Sequence, residues 1–139
     1  GDGTPDEPFD SSNPIYLGSL NNFGDQVSAS GFILDSTDQD AFQFNFEDDG
    51  GIWELFGDSD NFSCVLFNIP ESLDAILTVV DPDGNSYVVD GSGYGGDESF
   101  TWEGSYLFED GGTYSVFISS YEGDSCLTEY TFTCTKFED

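Results

Sequence analysis

The chain has almost no positive charge, because Lys136 is its only basic residue and it contains neither arginine nor histidine. Against that lysine stand 29 Asp and Glu residues, which give the 139 residues a formal net charge of −28. This excludes nucleic acids and anionic membranes as partners, since phosphates need Lys and Arg to replace their counterions. Intramolecular ion pairs cannot offset the self-repulsion, so cations from the solution must do so.

The lack of histidine also removes the Ser-His and Cys-His pairs of nucleophilic catalysis. The sequence contains no G-x-S-x-G motif, and its glycine-rich segment, 91–96, is typical of a turn between strands. Among so many acids some carboxylate pair will always suit acid–base chemistry, so their abundance carries no information. We therefore expect a protein that is not an enzyme.

Long apolar runs are absent too, and no stretch of eighteen apolar residues could form a membrane-spanning helix. No leader segment is visible, so if the protein is exported we expect this sequence to be the mature form or an excised domain. Residues 1–13 are acidic and rich in Pro and Gly, which predicts a linker, or a loop held by contacts outside itself that bound calcium would order. The remaining residues, 14–139, are enough for one domain with one core.

Cysteines are few, and Cys126 and Cys134 lie at opposite ends of the run CLTEYTFTC, which has no turn residues. As a strand this run would separate them by roughly 26 Å at about 3.3 Å per residue. A disulfide needs α-carbons within about 7 Å, so these two cannot pair. Cys64 must then pair with one of them, which favours an oxidising compartment and a secreted or cell-surface location.

Aromatic residues are plentiful, with 14 Phe, 7 Tyr and 2 Trp, so the chain has enough apolar side chains to fold. Phe42, Phe44 and Phe46 alternate with polar residues, as do Tyr130 and Phe132, and this period of two is typical of half-buried strands. No segment shows a helical period over ten residues. We predict an all-β protein with eight strands, at 27–34, 41–46, 62–69, 75–80, 86–90, 98–103, 113–121 and 127–136.

The order of several short segments resembles the pre-peptidase C-terminal domain family, which includes the collagen-binding domains of clostridial collagenases. The matching segments, within residues 7–135, are Glu7-Pro8, Asp38-Gln39-Asp40-Ala41-Phe42-Gln43-Phe44, Leu73-Asp74-Ala75-Ile76-Leu77, Asp81-Pro82-Asp83-Gly84-Asn85, Gly112-Thr113-Tyr114-Ser115-Val116 and Glu129-Tyr130-Thr131-Phe132-Thr133.

The resemblance implies a jelly-roll β-sandwich of two antiparallel four-stranded sheets that serves as a non-catalytic accessory module of secreted proteins. In that strand order the strand with Cys64 lies antiparallel beside the last strand. The resemblance therefore implies a Cys64–Cys134 disulfide and leaves Cys126 as the spare thiol.

The resemblance also implies a Ca²⁺ site, because Glu7, Asp38 and Asp40 fall on the positions that hold calcium in members of the family. Asp35 belongs to the same acidic segment. Crowded carboxylates repel one another unless a cation bridges them, and Ca²⁺ takes six to eight oxygen ligands. The alternative is a solvated acidic loop on a surface adapted to high salt. The segment from Asp81 to Asn85 could begin a calcium loop, but a turn between two strands explains it equally well.

Ligand contact is expected from aromatic residues. Alternation along 113–121 directs Phe117 and Tyr121 outward, on the strand that carries outward tyrosines in collagen-binding members of the family. Ser115 and Ser119 replace two of those tyrosines, which argues against collagen. Trp53 is a further candidate, with Tyr87, Tyr94 and Trp102, for a glycan platform, and packing in the core is the alternative for each of them.

The leading hypothesis is a calcium-stabilised, secreted, non-catalytic module that binds an extracellular polymer, either protein or glycan. A structural subunit of a filament, adhesin or matrix that self-associates through divalent cations is the first alternative. A small hydrolase with an unrecognised site is the second.

Overall fold

The computed structural model describes residues 14–33, 39–47, 60–69, 73–89, 95–102, 111–123 and 129–138. Within these ranges the chain forms nine β-strands and contains no helix, and thus none that could serve as a membrane span. The strands are β1 (Ile15–Leu20), β2 (Gln26–Gly31), β3 (Gln39–Phe46), β4 (Asp60–Phe67), β5 (Leu73–Val80), β6 (Ser86–Val89), β7 (Glu98–Trp102), β8 (Gly112–Gly123) and β9 (Tyr130–Glu138).

The strands form a five-stranded sheet of order β1-β3-β8-β5-β6 and a four-stranded sheet of order β2-β9-β4-β7. All neighbours are antiparallel except β1 and β3, which are parallel. Strands β2 to β9 have the order of a jelly roll, in which each strand lies in the other sheet from the one before it except for β5 and β6, which form a hairpin in one sheet. This confirms the predicted fold class. Each of the eight predicted strands overlaps one of these eight.

The prediction of two four-stranded sheets is wrong by one strand, because β1 extends the first sheet beside β3. Gly18 has a φ of 114°, a left-handed value that side chains avoid, and the register with β3 shifts between Tyr16 and Ser19. This irregularity interrupts the alternation by which a strand is recognised in a sequence. The missed strand matters because it carries an exposed tyrosine.

The core lies between the sheets and is built by strict alternation, as in β5, where every second residue from Leu73 is buried. Its aromatic centre is the ring of Phe62, whose centroid lies 4.9 Å from those of both Phe46 and Tyr114. Edge-to-face contacts at such distances add to the area that these rings bury. Rings of β3 and β8 thereby bind the five-stranded sheet to β4 of the other sheet.

Cys64 and Cys134 stand opposite each other in the register of β4 and β9 and form a disulfide bond. This confirms the pairing that the family resemblance implied. Both sulfur-bearing residues are completely buried, so the bond joins two adjacent strands inside the core. Cys126 lies outside the described residues.

Lys136, the only cation of the chain, is buried at the end of β9. Its Nζ donates hydrogen bonds to the backbone oxygens of Asn21, at 2.8 Å, and Glu47, at 2.6 Å. The ammonium also lies 5.3 Å from the centroid of the Phe23 ring, within the range of a cation–π contact. Lys136 therefore fastens the turn after β1 to the ends of β3 and β9.

Candidate binding faces

Among the residues that the structure describes, the outer face of the five-stranded sheet carries no charged side chain over its middle rows. The alternation that buries Phe44 and Val116 turns their strand neighbours outward. We call these outward residues the five-stranded face: Tyr16, Gln39, Ala41, Gln43, Asn45, Ile76, Thr78, Val80, Ser86, Val88, Thr113, Ser115, Phe117 and Ser119. Among the described side chains of this sheet, the first outward charge is that of Asp74, near the end of β5.

One row of this face crosses the sheet from Tyr16 through Gln43 and Ser115 to Val80. The Gln43 Nε2 donates to the Ser115 Oγ at 3.4 Å, and the Tyr16 hydroxyl lies 3.0 Å from the Ser19 Oγ. Tyr16 remains 56% exposed, so its ring is available to a ligand. The row therefore combines a flat aromatic surface with amide and hydroxyl groups.

Phe117, a predicted ligand residue, lies on the central strand of the same face between Ala41 and Thr78. Tyr121 belongs to β8, but its side chain is not among those that the structure describes. Trp53 lies outside the described residues. Phe117 is thus the predicted aromatic that the structure places on an outer face.

Tyr87 and Trp102 do not form a surface platform. Their rings contact each other at 5.6 Å, and Trp102 also lies 5.5 Å from Tyr114 in the core. Packing at the rim of the core, the alternative given for these two aromatics, is what the structure shows. The sequence-based interpretation missed Tyr16, because it requires β1 to be recognised as a strand beside β3.

On the outer face of the four-stranded sheet, the described outward side chains also include no charged group, and most of them carry a hydroxyl. Its outward residues, which we call the hydroxyl face, are Gln26, Ser28, Ser30, Ser63, Val65, Phe67, Ser99, Thr101, Thr131, Thr133, Thr135 and Phe137. Asn61 shares their side of β4 but is buried. Cross-strand contacts order the hydroxyl face: Ser28 Oγ lies 3.2 Å from Thr133 Oγ1, and Gln26 Nε2 donates to Thr135 Oγ1 at 3.0 Å.

Asp40 is the one predicted calcium ligand that the structure describes, since Glu7, Asp35 and Asp38 lie outside the described residues. Its side chain points into the sandwich at the start of β3 and is only 1% exposed. One carboxylate oxygen accepts a hydrogen bond from the Tyr130 hydroxyl. The described residues contain no group of three or more acidic or cysteine side chains that could hold a metal.

The turn from Asp81 to Asn85 is held by its own hydrogen bonds. Asp81 Oδ1 accepts from the backbone nitrogens of Asp83, at 3.0 Å, and Asn85, at 2.9 Å. Its Oδ2 accepts from Asn85 Nδ2, at 3.1 Å, and from the Tyr87 hydroxyl, at 3.0 Å. Burial raises the pKa of Asp81, but these hydrogen bonds outweigh burial and hold the pKa below its usual value. The carboxylate therefore stabilises the turn between two strands. Such a turn was the alternative given above to a calcium loop in this segment.

No family model and no curated protein matches the chain. Among solved structures it is similar to TmCBM61, solved with β-1,4-galactotriose, at 14% identity and a TM-score of 0.45 over 81% of this chain and 70% of that one. A CBM28 carbohydrate-binding module specific for non-crystalline cellulose gives 12%, 0.42, 81% and 73% for the same quantities. A β-1,3-glucan-binding CBM6 from Bacillus halodurans gives 12%, 0.42, 87% and 98%. Similarity at this level says nothing about a ligand of this chain.

Proposed function

We propose that this protein is a non-catalytic module that binds an uncharged extracellular polysaccharide on the five-stranded face. The observation that carries the proposal is the absence of charge from that face in a chain whose net charge is −28. An anionic polymer would be repelled by the molecule as a whole. A cationic polymer would find its complementary groups in the acidic loops and at the strand ends instead of on this face.

The chemistry of the face suits sugars better than it suits protein. Sugar rings present apolar C–H surfaces together with hydroxyl groups. Tyr16 and Phe117 offer rings for the apolar surfaces, whereas Gln43 and Ser115 offer donors and acceptors for the hydroxyls. A few polar groups set among apolar ones is the usual composition of a site that orients an uncharged ligand.

The proposed role is binding alone. Hydrolysis of a glycosidic bond needs two carboxyl groups beside that bond. The five-stranded face carries none over its middle rows, and the nearby Asp40 is directed into the core. A hydrolase with an unrecognised site would need its acids outside this face.

We also propose that the protein is secreted and that it binds Ca²⁺. The buried Cys64–Cys134 disulfide favours an oxidising compartment, because such bonds are rare in the reducing cytosol. The proposal includes calcium because of the acidic segments at Glu7 and from Asp35 to Asp40, since carboxylates that lie close together in sequence are the ligands that Ca²⁺ takes. When bound, Ca²⁺ would neutralise carboxylates that otherwise repel one another.

Affinity electrophoresis in native gels that contain neutral glucans, galactans, mannans or xylans tests the proposal. We expect at least one polysaccharide to retard the native chain. Tyr16→Ala, which removes the exposed ring, and Ser115→Glu, which places a charge in the central row, should reduce that retardation several-fold. Asn22→Glu, in the exposed turn after β1, adds the same charge outside both faces and should leave the retardation unchanged.

Failure of every neutral polysaccharide to retard the chain would contradict the proposal. An equal response of Ser115→Glu and Asn22→Glu would also contradict it, because the effect would then follow net charge alone. Light scattering with and without Ca²⁺ detects the alternative, a self-associating structural subunit. Calcium-dependent assembly without any polysaccharide binding would favour that alternative.

A further inference from the structure

We infer that the hydroxyl face is a second binding surface for an uncharged polysaccharide, so that one module joins two polymer chains. This inference rests on the proposed function for the class of ligand, but it concerns the opposite side of the sandwich. The two faces are separated by the packed core, because the sheets of a sandwich lie about 10 Å apart. A chain held on one face therefore does not contact the other.

The composition of the hydroxyl face differs from that of an ordinary protein surface. Charged residues usually make up about a quarter to a third of the surface of a soluble domain, yet none of the outward side chains described on this sheet is ionisable. Strand propensity favours threonine, which accounts for Thr131, Thr133 and Thr135. It gives no reason for Ser28 and Ser63. A face adapted only to high salt would carry acids, as the loops of this chain do.

The Ser and Thr hydroxyl groups of this face can form more hydrogen bonds than they form with one another. A hydroxyl has one donor and two acceptor sites, so the cross-strand contact between Ser28 and Thr133 uses only part of what the two groups offer. Neighbouring strands lie about 4.8 Å apart, and outward residues follow one another about 6.6 Å apart along each strand. The face thus presents a regular field of donors and acceptors, to which a polymer with repeating hydroxyl groups is complementary.

The two outward aromatic residues lie near opposite ends of the hydroxyl face. Phe137 pairs with Asn61 near one end of β4, and Phe67 pairs with Thr131 at the other end. Asn61 and Phe67 are six positions apart, which corresponds to about 20 Å along the strand. An extended chain that lies along β4 and β9 would contact both rings and the hydroxyls between them.

A second copy of this protein fits the hydroxyl face less well than a glycan does. Serine is depleted in protein–protein interfaces, whose centres are apolar and dry. Two such faces pressed together would also bring together the acidic loops of two chains of net charge −28. A neutral, hydrated polymer meets neither obstacle.

Isothermal titration calorimetry of the whole chain with cellohexaose, mannohexaose and laminarihexaose tests the inference. We expect two binding equivalents per chain for the oligosaccharide that binds. Thr133→Glu, in the middle of the hydroxyl face, and Ser115→Glu, in the middle of the five-stranded face, should each leave one equivalent, with at least a ten-fold loss at the altered face. The double variant should bind none.

The outcomes separate the two proposals. If Thr133→Glu leaves the stoichiometry and affinity of the native chain, the hydroxyl face does not bind and the inference fails while the proposed function stands. If Ser115→Glu has no effect and Thr133→Glu removes all binding, the five-stranded face fails and only the hydroxyl face remains. Absence of heat with all three hexasaccharides overturns the inference. Asn22→Glu controls for net charge, and circular dichroism verifies that each variant is folded.

Discussion

Asp40 at the start of β3 accepts a hydrogen bond from the hydroxyl of Tyr130 at the start of β9, and this bond joins the two sheets through the interior. Both residues are buried, at 1% and 0% exposure. A carboxylate in such a place is stabilised by each hydrogen bond or cation that reaches it, because the low local dielectric strengthens the interaction. Asp40 is thus both a core residue and the described member of the predicted calcium set.

Calcium should stabilise the native chain more than it stabilises Asp40→Asn when ionic strength is held constant with Na⁺. Extracellular modules bind Ca²⁺ with dissociation constants of roughly 10⁻⁴ to 10⁻³ M. At ten times that constant, binding adds about 1.4 kcal/mol to the free energy of unfolding. Urea unfolding in each salt measures the difference, and Tyr130→Phe serves as a control that keeps the carboxylate but removes its hydroxyl partner. Equal responses of the native chain and Asp40→Asn would mean that no specific site includes this residue.

Loss of the Cys64–Cys134 disulfide should lower the free energy of unfolding by about 4 kcal/mol in the chain-entropy model for a loop of this size. The two cysteines are separated by 70 residues, so the bond restricts a large part of the unfolded chain. Because both are completely buried, dithiothreitol should reduce the bond in urea but leave it intact in the native chain. Thiol quantification with a chromogenic reagent measures this. Rapid reduction without denaturant would show that the strand pair opens locally.

The turn after β5 should weaken in acid because of Asp81. Its pKa lies below the usual value in the folded chain, so its contribution to stability is present above about pH 3.9 and declines as the pH falls through the folded-state pKa. Asp81→Asn should therefore destabilise the protein near neutral pH, and the difference from the native chain should shrink below about pH 4. Asp83→Asn is the matched control, since it removes a charge from the same turn but not the acceptor. Urea midpoints over a pH series decide, and a difference independent of pH would contradict the assignment.

Gly112→Ala should destabilise the protein by about 1 to 3 kcal/mol, for two reasons that act together. Gly112 has a φ of 144°, and an added Cβ would lie 2.7 Å from Cγ of Pro82. Gly84→Ala is the control, because Gly84 has a φ of 92° but no atom within 4 Å of the added Cβ. The difference between the two variants in thermal unfolding measures the clash alone. Equal losses would mean that Pro82 moves aside without resistance.

Much of the fold could be predicted because a period of two is a direct consequence of strand geometry. Alternation at Phe42, Phe44 and Phe46 predicted a strand and also which side chains enter the core. The same rule correctly divided β8 into the inward Tyr114 and the outward Phe117. Where the backbone departs from that geometry, as at Gly18 in β1, the alternation fails and the strand is missed.

The two faces could not be assembled from the sequence in the same way. Outward residues such as Thr133 and Ser28 are 105 positions apart, and their contact depends on which strands become neighbours. The local propensity of a segment does not determine which strands become its neighbours. The strand order of the whole jelly roll determines it. The absence of charged outward residues could therefore be predicted for each strand separately. The size of the uncharged face could not, because it depends on the order of the strands in the sheet.

The burial of Lys136 affects how easily trypsin-like proteases can cleave this protein. A trypsin-like enzyme cleaves after Lys or Arg, and the chain offers it a single bond, between Lys136 and Phe137. That bond lies inside β9, whose neighbours on both sides are hydrogen-bonded to it. Cleavage there requires the strand to leave the sheet, so its rate follows the population of opened molecules. An acidic module with its only basic residue enclosed in this way can persist intact among digestive enzymes of that specificity for as long as β9 stays in place.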